Sequence, residues 1–495
     1  MISRQTRLLY SAGGAVYAAK EAAYTMFVLL FYTQVLGLDG SITGAMIALS
    51  LFWDAISDPL VGTWSDRLRS RFGRRHPFMF ASILPLGIAF YALFAPPASV
   101  VESTAGLAGW LLFWSLWVRT AVTTFAIPHL ALAADLTDDY HQRSKILGGR
   151  MGVMFLFAVL LPAIGLLALF GENDGVDGRF VAANYPLYGA LSCAVVWLAG
   201  SISSFGTLKA ARPAASLPAA QFSPSSPLSL LRDLFRTMSN KRFRLLATYE
   251  IALMVAYGIV ATMNMLVWTY TWGFDAQSVS IILSVPSLVA VALVLLSLNL
   301  LGRHFDKTQQ LQLAMAGLVV NALWLYPAKL LGWLPSDGTV IFALNLLFML
   351  FFMYCFMLRS VVTQSIVADI SDEHELAHGI RQEGGFYAAI NFINKLATVA
   401  GPVYTGIAMD VIGLPAGATP GEVDPVVLDR LIYALGVGVI PGFVIALFVV
   451  FKIRMREEEV TEVQAALRAR QQGNADVAAA HGLGHNAPPS PAGDS

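Results

Sequence analysis

The sequence has little charge and little cysteine, and both shortages exclude classes of protein. Only 13% of its 495 residues are Asp, Glu, Lys or Arg, about half of the roughly 25% found in soluble domains. Because 32 cationic residues balance 32 anionic ones, the chain lacks the positive excess that binds nucleic acid, and we predict no nucleic-acid partner. The two cysteines, Cys193 and Cys355, lie far apart in apolar runs, which indicates neither a disulfide framework nor a metal site.

What the chain has in place of charge is hydrophobic sequence, which makes up 56% of its residues. Apolar runs near or above the roughly 20 residues that span a bilayer recur along most of the chain, so the lipid bilayer is its main solvent. We therefore predict an all-α integral membrane protein with twelve transmembrane helices. Hydropathy places them at 9–36, 41–64, 78–98, 106–134, 146–170, 185–208, 245–272, 278–301, 310–331, 339–366, 385–412 and 430–452.

The helices divide into two sets of six around a connector rich in Pro, Ser and Ala. The predicted units are an N-terminal bundle (1–208), a cytoplasmic connector (209–242), a C-terminal bundle (243–453) and a cytoplasmic tail (454–495). We expect the tail to be largely disordered, with a short surface helix from Glu457 to Arg470.

An internal repeat supports two related halves. The pattern G-x-x-x-D-[RK] ends both helix 2 and helix 8, at an offset of 240 residues. Its members are Gly62, Asp66 and Arg67 in the first half and Gly302, Asp306 and Lys307 in the second. Parallel repeats of this kind are typical of the major facilitator fold, in which the substrate site lies between the halves near the membrane midplane.

The distribution of cations predicts the orientation. Connections that follow the even-numbered helices hold 17 Lys and Arg residues, among them Arg381, whereas the odd-numbered connections hold only Arg179, Lys329 and Arg430. By the positive-inside rule, both termini are cytoplasmic in a multi-pass protein of the plasma (inner) membrane.

Two carboxylates inside the predicted membrane region are the strongest candidates for a functional site. Asp54 and Asp58 of helix 2 are spaced i, i+4, so both lie on one helix face and repel each other. A bound cation such as Na⁺, a Lys or Arg from another helix, or a proton on one carboxylate would each relieve this repulsion. Oxygen ligands favour hard cations, and Thr123 of helix 4 is a candidate third ligand. A structural network near the cytoplasmic end of helix 2 is the alternative.

Other ionisable residues within the predicted helices are candidates for one polar cavity, because each is costly in hydrocarbon. Lys20 and Glu21 lie in helix 1, Arg119 in helix 4, Arg150 in helix 5 and Lys395 in helix 11. The alternative for each is local neutralisation between neighbours.

A cationic segment follows helix 2 and is a candidate gate. We expect the arginines of this segment, which begins at Asp66 and includes Arg67, Arg74 and Arg75, to form ion pairs with acidic residues after helix 4, or with those after helix 10. The acidic candidates are Asp135, Asp138, Asp139, Asp369, Asp372, Glu373 and Glu375, and Asp306 and Lys307 occupy the repeated position. Such pairs would hold the halves together on the inside and break on inward opening. The alternative is a solvated basic loop attracted to anionic lipid.

Three segments resemble the glycoside-pentoside-hexuronide:cation symporters, which include the melibiose carriers. They are WDAISDPLVGTWSDRLRSRFGRRHP at 53–77, IPHLALAADLTDDYHQRSKILGGR at 127–150 and RQEGGFYAAINFINK at 381–395. The resemblance implies that Asp54 and Asp58 bind Na⁺, Li⁺ or a proton and that Thr123 aids this site. It also implies that Lys395 senses or neutralises the carboxylates when no cation is bound.

The resemblance to the substrate site of the melibiose carriers is less complete. Lys20–Glu21 matches their helix 1 Lys-Asp pair, and Arg150 matches a sugar-contacting arginine. Ala126, however, stands at the position of their sugar-binding aspartate, and Leu130 at that of a nearby tryptophan. A sugar would lose a charged acceptor and an aromatic platform, so melibiose is not the predicted substrate.

These observations predict a cation-coupled symporter and not an enzyme. The predicted partners are a small-molecule solute of the sugar or glycoside type and a coupling cation, Na⁺ or H⁺, with no further cofactor. An amphiphile such as a lysolipid or a steroid is the alternative solute, and a non-transporting receptor and a lipid-modifying enzyme are more remote alternatives. No sequence feature indicates an oligomeric state.

Overall fold

Long helices provide nearly all regular structure in the computed structural model, which describes residues 3–137, 139–172, 175–210, 238–379, 383–453, 455 and 457–480. Ten helices in these ranges are long and apolar enough to cross a membrane. Two further segments, helix 1 and helix 11, complete the predicted twelve. Asp138, Arg381, connector residues 211–237 and tail residues 481–495 lie outside the described ranges.

The first six segments follow the predicted order. Helix 1 is continuous but irregular, because α-helical stretches at Arg4–Ala12 and Gly14–Ala22 pass into π-helical turns at Ala23–Val28 and Phe31–Val35. The next five segments are helix 2 (Gly40–Arg67), helix 3 (His76–Leu93), helix 4 (Thr104–Leu136), helix 5 (Tyr140–Ile164) and helix 6 (Asn184–Leu208).

The second six segments are helix 7 (Lys241–Leu266), helix 8 (Ala276–Leu301), helix 9 (Lys307–Ala322, then Leu325–Leu330), helix 10 (Gly338–His378), helix 11 (Glu383–Thr398, then Ala400–Ile412) and helix 12 (Pro425–Val450). Helix 10 extends 12 residues beyond its predicted end at 366, because hydropathy detects only its apolar part. A helix also covers Glu457–Ala480. It is longer than the predicted surface helix, which ended at Arg470.

Consecutive helices run in opposite directions, so the connections after the even-numbered helices lie at one end of the bundle and those after the odd-numbered helices lie at the other. We call the end with the connections after the even-numbered helices the basic face, and the other end the opposite face. Side-chain caps begin several helices at the opposite face. Asp275 accepts a hydrogen bond from Ser278 N at the start of helix 8, and Asp424 accepts one from Val426 N at the start of helix 12.

Helices 2 and 11 join the two halves towards the opposite face by very close backbone packing. A Cβ atom at Gly44 would lie 2.2 Å from the carbonyl oxygen of Pro402, and one at Gly406 would lie 2.1 Å from that of Gly40. The carboxylate of Asp410 then accepts hydrogen bonds from the N-terminal amides of helix 2, 3.1 Å from Gly40 N and 2.9 Å from Ser41 N. Only glycine permits this approach, so the contact depends on the sequence of both helices.

A buried arginine makes a second contact between the halves at the opposite face. Arg179, in the connection after helix 5, is 1% exposed. Its guanidinium donates to Asp177, to Thr269 Oγ1 at 2.7 Å and to the carbonyl of Phe274 at 2.5 Å. Nearby, the hydroxyl of Tyr270 donates to Gln34 Oε1 at 2.8 Å. The opposite face is therefore closed by polar contacts as well as by backbone packing.

At the basic face, in contrast to the opposite face, each ion pair joins two residues of the same half. In the first half, Arg74 donates to both carboxylate oxygens of Asp135, at 3.1 and 2.6 Å, and Arg75 pairs with Asp66. In the second half, Lys307 Nζ lies 2.6 Å from Asp369 Oδ2. Among the described residues, no ion pair joins the two halves at this face.

Candidate functional site

The candidate site is a buried cluster of charged side chains around Asp54, which is 2% exposed. Asp54 Oδ2 lies 3.5 Å from Lys20 Nζ of helix 1 and 3.6 Å from an Arg119 guanidinium nitrogen of helix 4. Lys395 Nζ of helix 11 is 3.2 Å from the same oxygen. Three cations from three helices therefore surround one carboxylate of helix 2.

Asp58 lies one turn further along the same helix face, as its i, i+4 spacing predicts. Its Oδ2 pairs with Lys395 Nζ. The Thr123 hydroxyl lies 3.1 Å from Asp54 Oδ1 and 2.8 Å from Asp58 Oδ1, so helix 4 touches both carboxylates. The four residues that were predicted for cation binding thus form one connected cluster, in which Thr123 and Lys395 each contact both carboxylates.

Charge within the cluster is balanced. The Lys20 ammonium lies 3.0 Å from Glu21 Oε1, so three carboxylates, those of Glu21, Asp54 and Asp58, face the three cations. A further cation cannot enter a buried neutral cluster without an uncompensated charge, unless a resident cation leaves. Lys395 can leave most readily, because its side chain is 24% exposed whereas that of Lys20 is 4% and that of Arg119 is 2%.

The oxygen atoms of this cluster are chemically suited to a small hard cation. Two carboxylates and a hydroxyl are ligands that Na⁺ accepts, and either carboxylate can instead bind a proton. Pro59 has no N–H, so the carbonyl of Ala55, in the turn between the carboxylates, lacks its usual helical partner. It is a further oxygen at this level of helix 2.

Aromatic rings of helix 1 cover two of the cations. Lys20 Nζ lies 4.4 Å from the centre of the Tyr17 ring, and the Arg119 guanidinium lies 4.5 Å from that of Tyr24. Arg119 also donates to Ser50 Oγ at 2.8 Å. Sequence reasoning missed Tyr17, Tyr24 and Ser50. Tyr17 and Tyr24 lie three and four residues from Lys20, and Ser50 lies four residues before Asp54. This helical spacing places them on the same faces as the charged residues, and it was the signal that could have identified them.

The remaining residues that were predicted for substrate binding are not gathered around Asp54. Arg150 belongs to a second buried cluster, where its Nε lies 3.3 Å from His129 Nδ1 and where the His129 and Tyr10 rings stack 4.3 Å apart. Ala126 is buried, and Leu130 is 44% exposed. Arg150 is thus placed by helix packing next to His129.

The second half contains a buried ion pair that sequence reasoning did not identify. Arg359 of helix 10 donates to Glu250 Oε1 of helix 7 at 3.1 Å, and both side chains are at most 5% exposed. Arg359 was missed because it lies in a 41-residue helix whose other residues are mainly apolar. The two halves therefore hold different buried charges. At the 240-residue offset of the repeat, Val294 and Leu298 occupy the positions that match Asp54 and Asp58.

The residues that were predicted to form the gate have several roles. Hydrogen bonds to Asp135 raise the pKa of Arg74 above its usual value, so this guanidinium remains charged. Arg67 is exposed. Asp306 begins helix 9 in a capping box with Gln309. The predicted pairs between the halves are absent from the described contacts, because Asp135 and Asp369 each have a cation available within their own half.

Comparisons with known proteins agree with this architecture. The family model described as MFS/sugar transport protein matches residues 9–456. A protein of Escherichia coli named as glycoside/cation symporter YagG is 23% identical over 93% of this chain and 95% of its own length. Sodium-dependent lysophosphatidylcholine symporter 1 of Mus musculus is 32% identical over 32% of this chain and 30% of its own length. The solved structure of a D-xylose-proton symporter has a TM-score of 0.61 at 14% identity, covering 90% of this chain and 96% of that one.

Proposed function

Because the chain belongs to the MFS/sugar transport protein family, we propose that it is a cation-coupled symporter of a sugar or glycoside-like solute. The observation that carries this proposal is the contact of Lys395 with Asp54 and Asp58. It joins helix 11 of one half to the carboxylate pair of the other. A cation that binds the carboxylates displaces Lys395, and so changes a contact between the halves.

This displacement provides the coupling. A ligand shifts a conformational equilibrium only by its differential affinity for the two states. In the empty carrier, Lys395 neutralises the carboxylates, and the carrier can change between its inward-facing and outward-facing states. In the cation-bound carrier, the contact between Lys395 and the carboxylates is broken, and the change of state requires bound solute. Na⁺ as a ligand and H⁺ on a carboxylate both satisfy this scheme.

The state of the structure follows from the contacts between its halves. We propose that the basic face is cytoplasmic, in accordance with the positive-inside rule. The halves are then closed outside, at Gly44–Pro402 and around Arg179, and lack a described ion pair between them inside. This is the arrangement of an inward-facing carrier in a cell membrane.

Uptake by sealed proteoliposomes tests the proposal. We expect a labelled glycoside, pentoside or uronate to accumulate only when an inward Na⁺ or H⁺ gradient is imposed, and the effective gradient identifies the cation. Binding without accumulation would indicate a receptor, and chemical change of the solute would indicate an enzyme. Either result contradicts the proposal.

An amphiphilic solute is the second candidate. Ala126 and Leu130 supply neither a charge nor an aromatic ring at the sugar-holding positions implied by the family resemblance. One of the relatives is named as a lysophosphatidylcholine symporter. The same proteoliposomes, presented with a labelled lysolipid, distinguish the candidates: accumulation of the lysolipid in the absence of glycoside uptake would favour the amphiphile.

The glycine contact of helices 2 and 11 yields a prediction about the outer closure. Gly44→Ala places a methyl group 2.2 Å from the carbonyl oxygen of Pro402, a separation that forces the helices apart. We expect the outward-open state to gain population. Labelling of a cysteine introduced at Gln34 by an impermeant maleimide should rise, in a background from which Cys193 and Cys355 have been removed.

The control is Gly152→Ala, because a Cβ atom there meets nothing within 4 Å. It should leave labelling at the level of the parent protein. Equal labelling of the Gly44→Ala and Gly152→Ala variants would show that helices 2 and 11 do not close the outer side.

A further inference from the structure

A cavity of about 550 Å³ lies inside the second half, away from the charge cluster. Helices 7, 9, 10 and 12 line it, mainly with apolar side chains such as Leu318, Phe348 and Phe443. Its volume is in the range of sites that hold small organic ligands, roughly 300–1,000 Å³. Neither Asp54 nor any other member of the charge cluster contributes to its lining, so it is distinct from the proposed transport site.

The cavity opens towards lipid. Its rim includes Leu331, Tyr433 and Val437, which are 58%, 59% and 69% exposed on the apolar outer surface of the bundle. From Ile432 to Phe443, helix 12 rises roughly 16 Å, which is close to the hydrocarbon depth of one leaflet, about half of the roughly 30 Å bilayer core. An extended hydrocarbon chain from the leaflet at the opposite face has the matching length.

Two polar side chains in the cavity wall make no hydrogen bond with the described residues. Asn264 is 8% exposed, and Tyr326, also 8% exposed, presents a hydroxyl group. A polar group in hydrocarbon without a partner costs free energy. The cavity wall therefore favours an apolar ligand that carries a hydrogen-bond acceptor, and both Asn264 and Tyr326 can donate to an ester carbonyl.

A cation belongs to the same short helical segment as four residues of the cavity lining, Tyr326, Pro327, Leu330 and the adjoining Leu331. Lys329 lies in the Leu325–Leu330 segment of helix 9, about one helical turn after Tyr326. Its Nζ lies 5.5 Å from the centre of the Trp272 ring, and it has no acidic partner among the described residues. It lies in the last turn of helix 9 at the opposite face, and lysine side chains near the ends of membrane helices extend to the interface where lipid phosphates lie.

We propose that this cavity binds one acyl chain of an anionic phospholipid from the outer leaflet. The chain fills the apolar cleft, the ester carbonyl accepts hydrogen bonds from Asn264 or Tyr326, and the phosphate interacts with Lys329. Because lipid tails are as apolar as the cavity wall, binding depends on dispersion contacts and on these polar groups. The proposal does not depend on the identity of the transported solute.

Photocrosslinking of the full-length protein in nanodiscs tests the proposal. The nanodiscs contain phosphatidylethanolamine, phosphatidylglycerol and a trace of phosphatidylglycerol with a diazirine in the distal half of one acyl chain. We expect labelled peptides from the cavity walls of helices 9, 10 and 12. Gly436→Leu should reduce this labelling at least about fivefold, because a filled cavity removes the dispersion contacts of the chain.

A side chain can be added at Gly436 without a close contact at its first atom, because a Cβ atom there would meet only Ile440 Cδ1, at 3.7 Å. Gly109→Leu on helix 4 is the matched control, since nothing lies within 4 Å of a Cβ atom there. Lys329→Gln should lower labelling by the phosphatidylglycerol probe more than labelling by a phosphatidylcholine probe with the same chain, because choline offsets the phosphate charge that Lys329 attracts. Cavity labelling that persists in a folded Gly436→Leu variant, or labels spread evenly over the lipid-facing surface, would overturn the proposal.

Discussion

Asp58→Asn is expected to abolish cation-driven uptake while the protein remains folded. Asparagine keeps the size of the side chain but removes the negative charge that a cation and Lys395 share. Unit charges about 4 Å apart attract by roughly 4 kcal/mol at an effective dielectric constant of 20. Allowing for partial screening of a side chain that is 22% exposed, we expect cation affinity to fall at least about 100-fold, at roughly 1.4 kcal/mol per factor of ten.

The measurement is initial uptake into proteoliposomes as a function of the imposed cation gradient. Asp337→Asn is a matched control, because Asp337 caps helix 10 through Thr339 N and asparagine caps helices equally well. The control should transport like the parent protein. If Asp58→Asn retained cation-dependent uptake at the parent rate, Asp58 would not belong to the cation site.

A second measurement separates loss of the site from loss of the fold. In the neutral cluster, Asp58→Asn leaves three cations facing two carboxylates, Asp54 and Glu21, and Asp54 still holds Lys20, Arg119 and Lys395. The helix 2 packing is therefore retained. The variant should elute as the parent does in size-exclusion chromatography, and its melting temperature should no longer rise with added coupling cation, because ligand-induced stabilisation requires binding.

The sequence was sufficient to predict the twelve segments and to select the four residues that the structure brings together in the proposed cation site. Hydropathy reports apolar length directly, and the i, i+4 spacing of Asp54 and Asp58 fixes their common face whatever the neighbouring helices do. Thr123 and Lys395 were already candidates from their residue type and predicted position, and the family resemblance assigned them specific roles at the carboxylates. Their contacts with the carboxylates in the structure agree with the roles that it implies.

Other features depended on tertiary contacts that no local pattern encodes. Arg150 and His129 come together only because helices 1, 4, 5 and 6 pack at one level. Arg179 reads as an ordinary loop cation, yet the fold buries it against helix 7. The length of helix 10 was underestimated because hydropathy measures the membrane-embedded part of a helix and not its polar extension.

Lys395→Gln is expected to separate exchange from net transport. In the proposed cycle, Lys395 neutralises the carboxylates only in the empty carrier, whose return completes each round of net uptake. Exchange of labelled for unlabelled solute uses the loaded carrier alone. Without Lys395, the empty carrier reorients with an unpaired carboxylate, at a cost of roughly 3 kcal/mol within the membrane.

If the whole cost adds to the activation free energy, the return of the empty carrier slows about 100-fold, at 1.36 kcal/mol per factor of ten. Net uptake by the Lys395→Gln variant should fall accordingly, while counterflow in the presence of saturating cation continues. Cation affinity should increase, because glutamine does not compete for Asp54 and Asp58. Lys452→Gln, at an exposed lysine over the Phe448 ring, is the matched control. A parallel fall of net uptake and counterflow would instead give Lys395 a role in holding the solute or the fold, and the proposed neutralising role would be wrong.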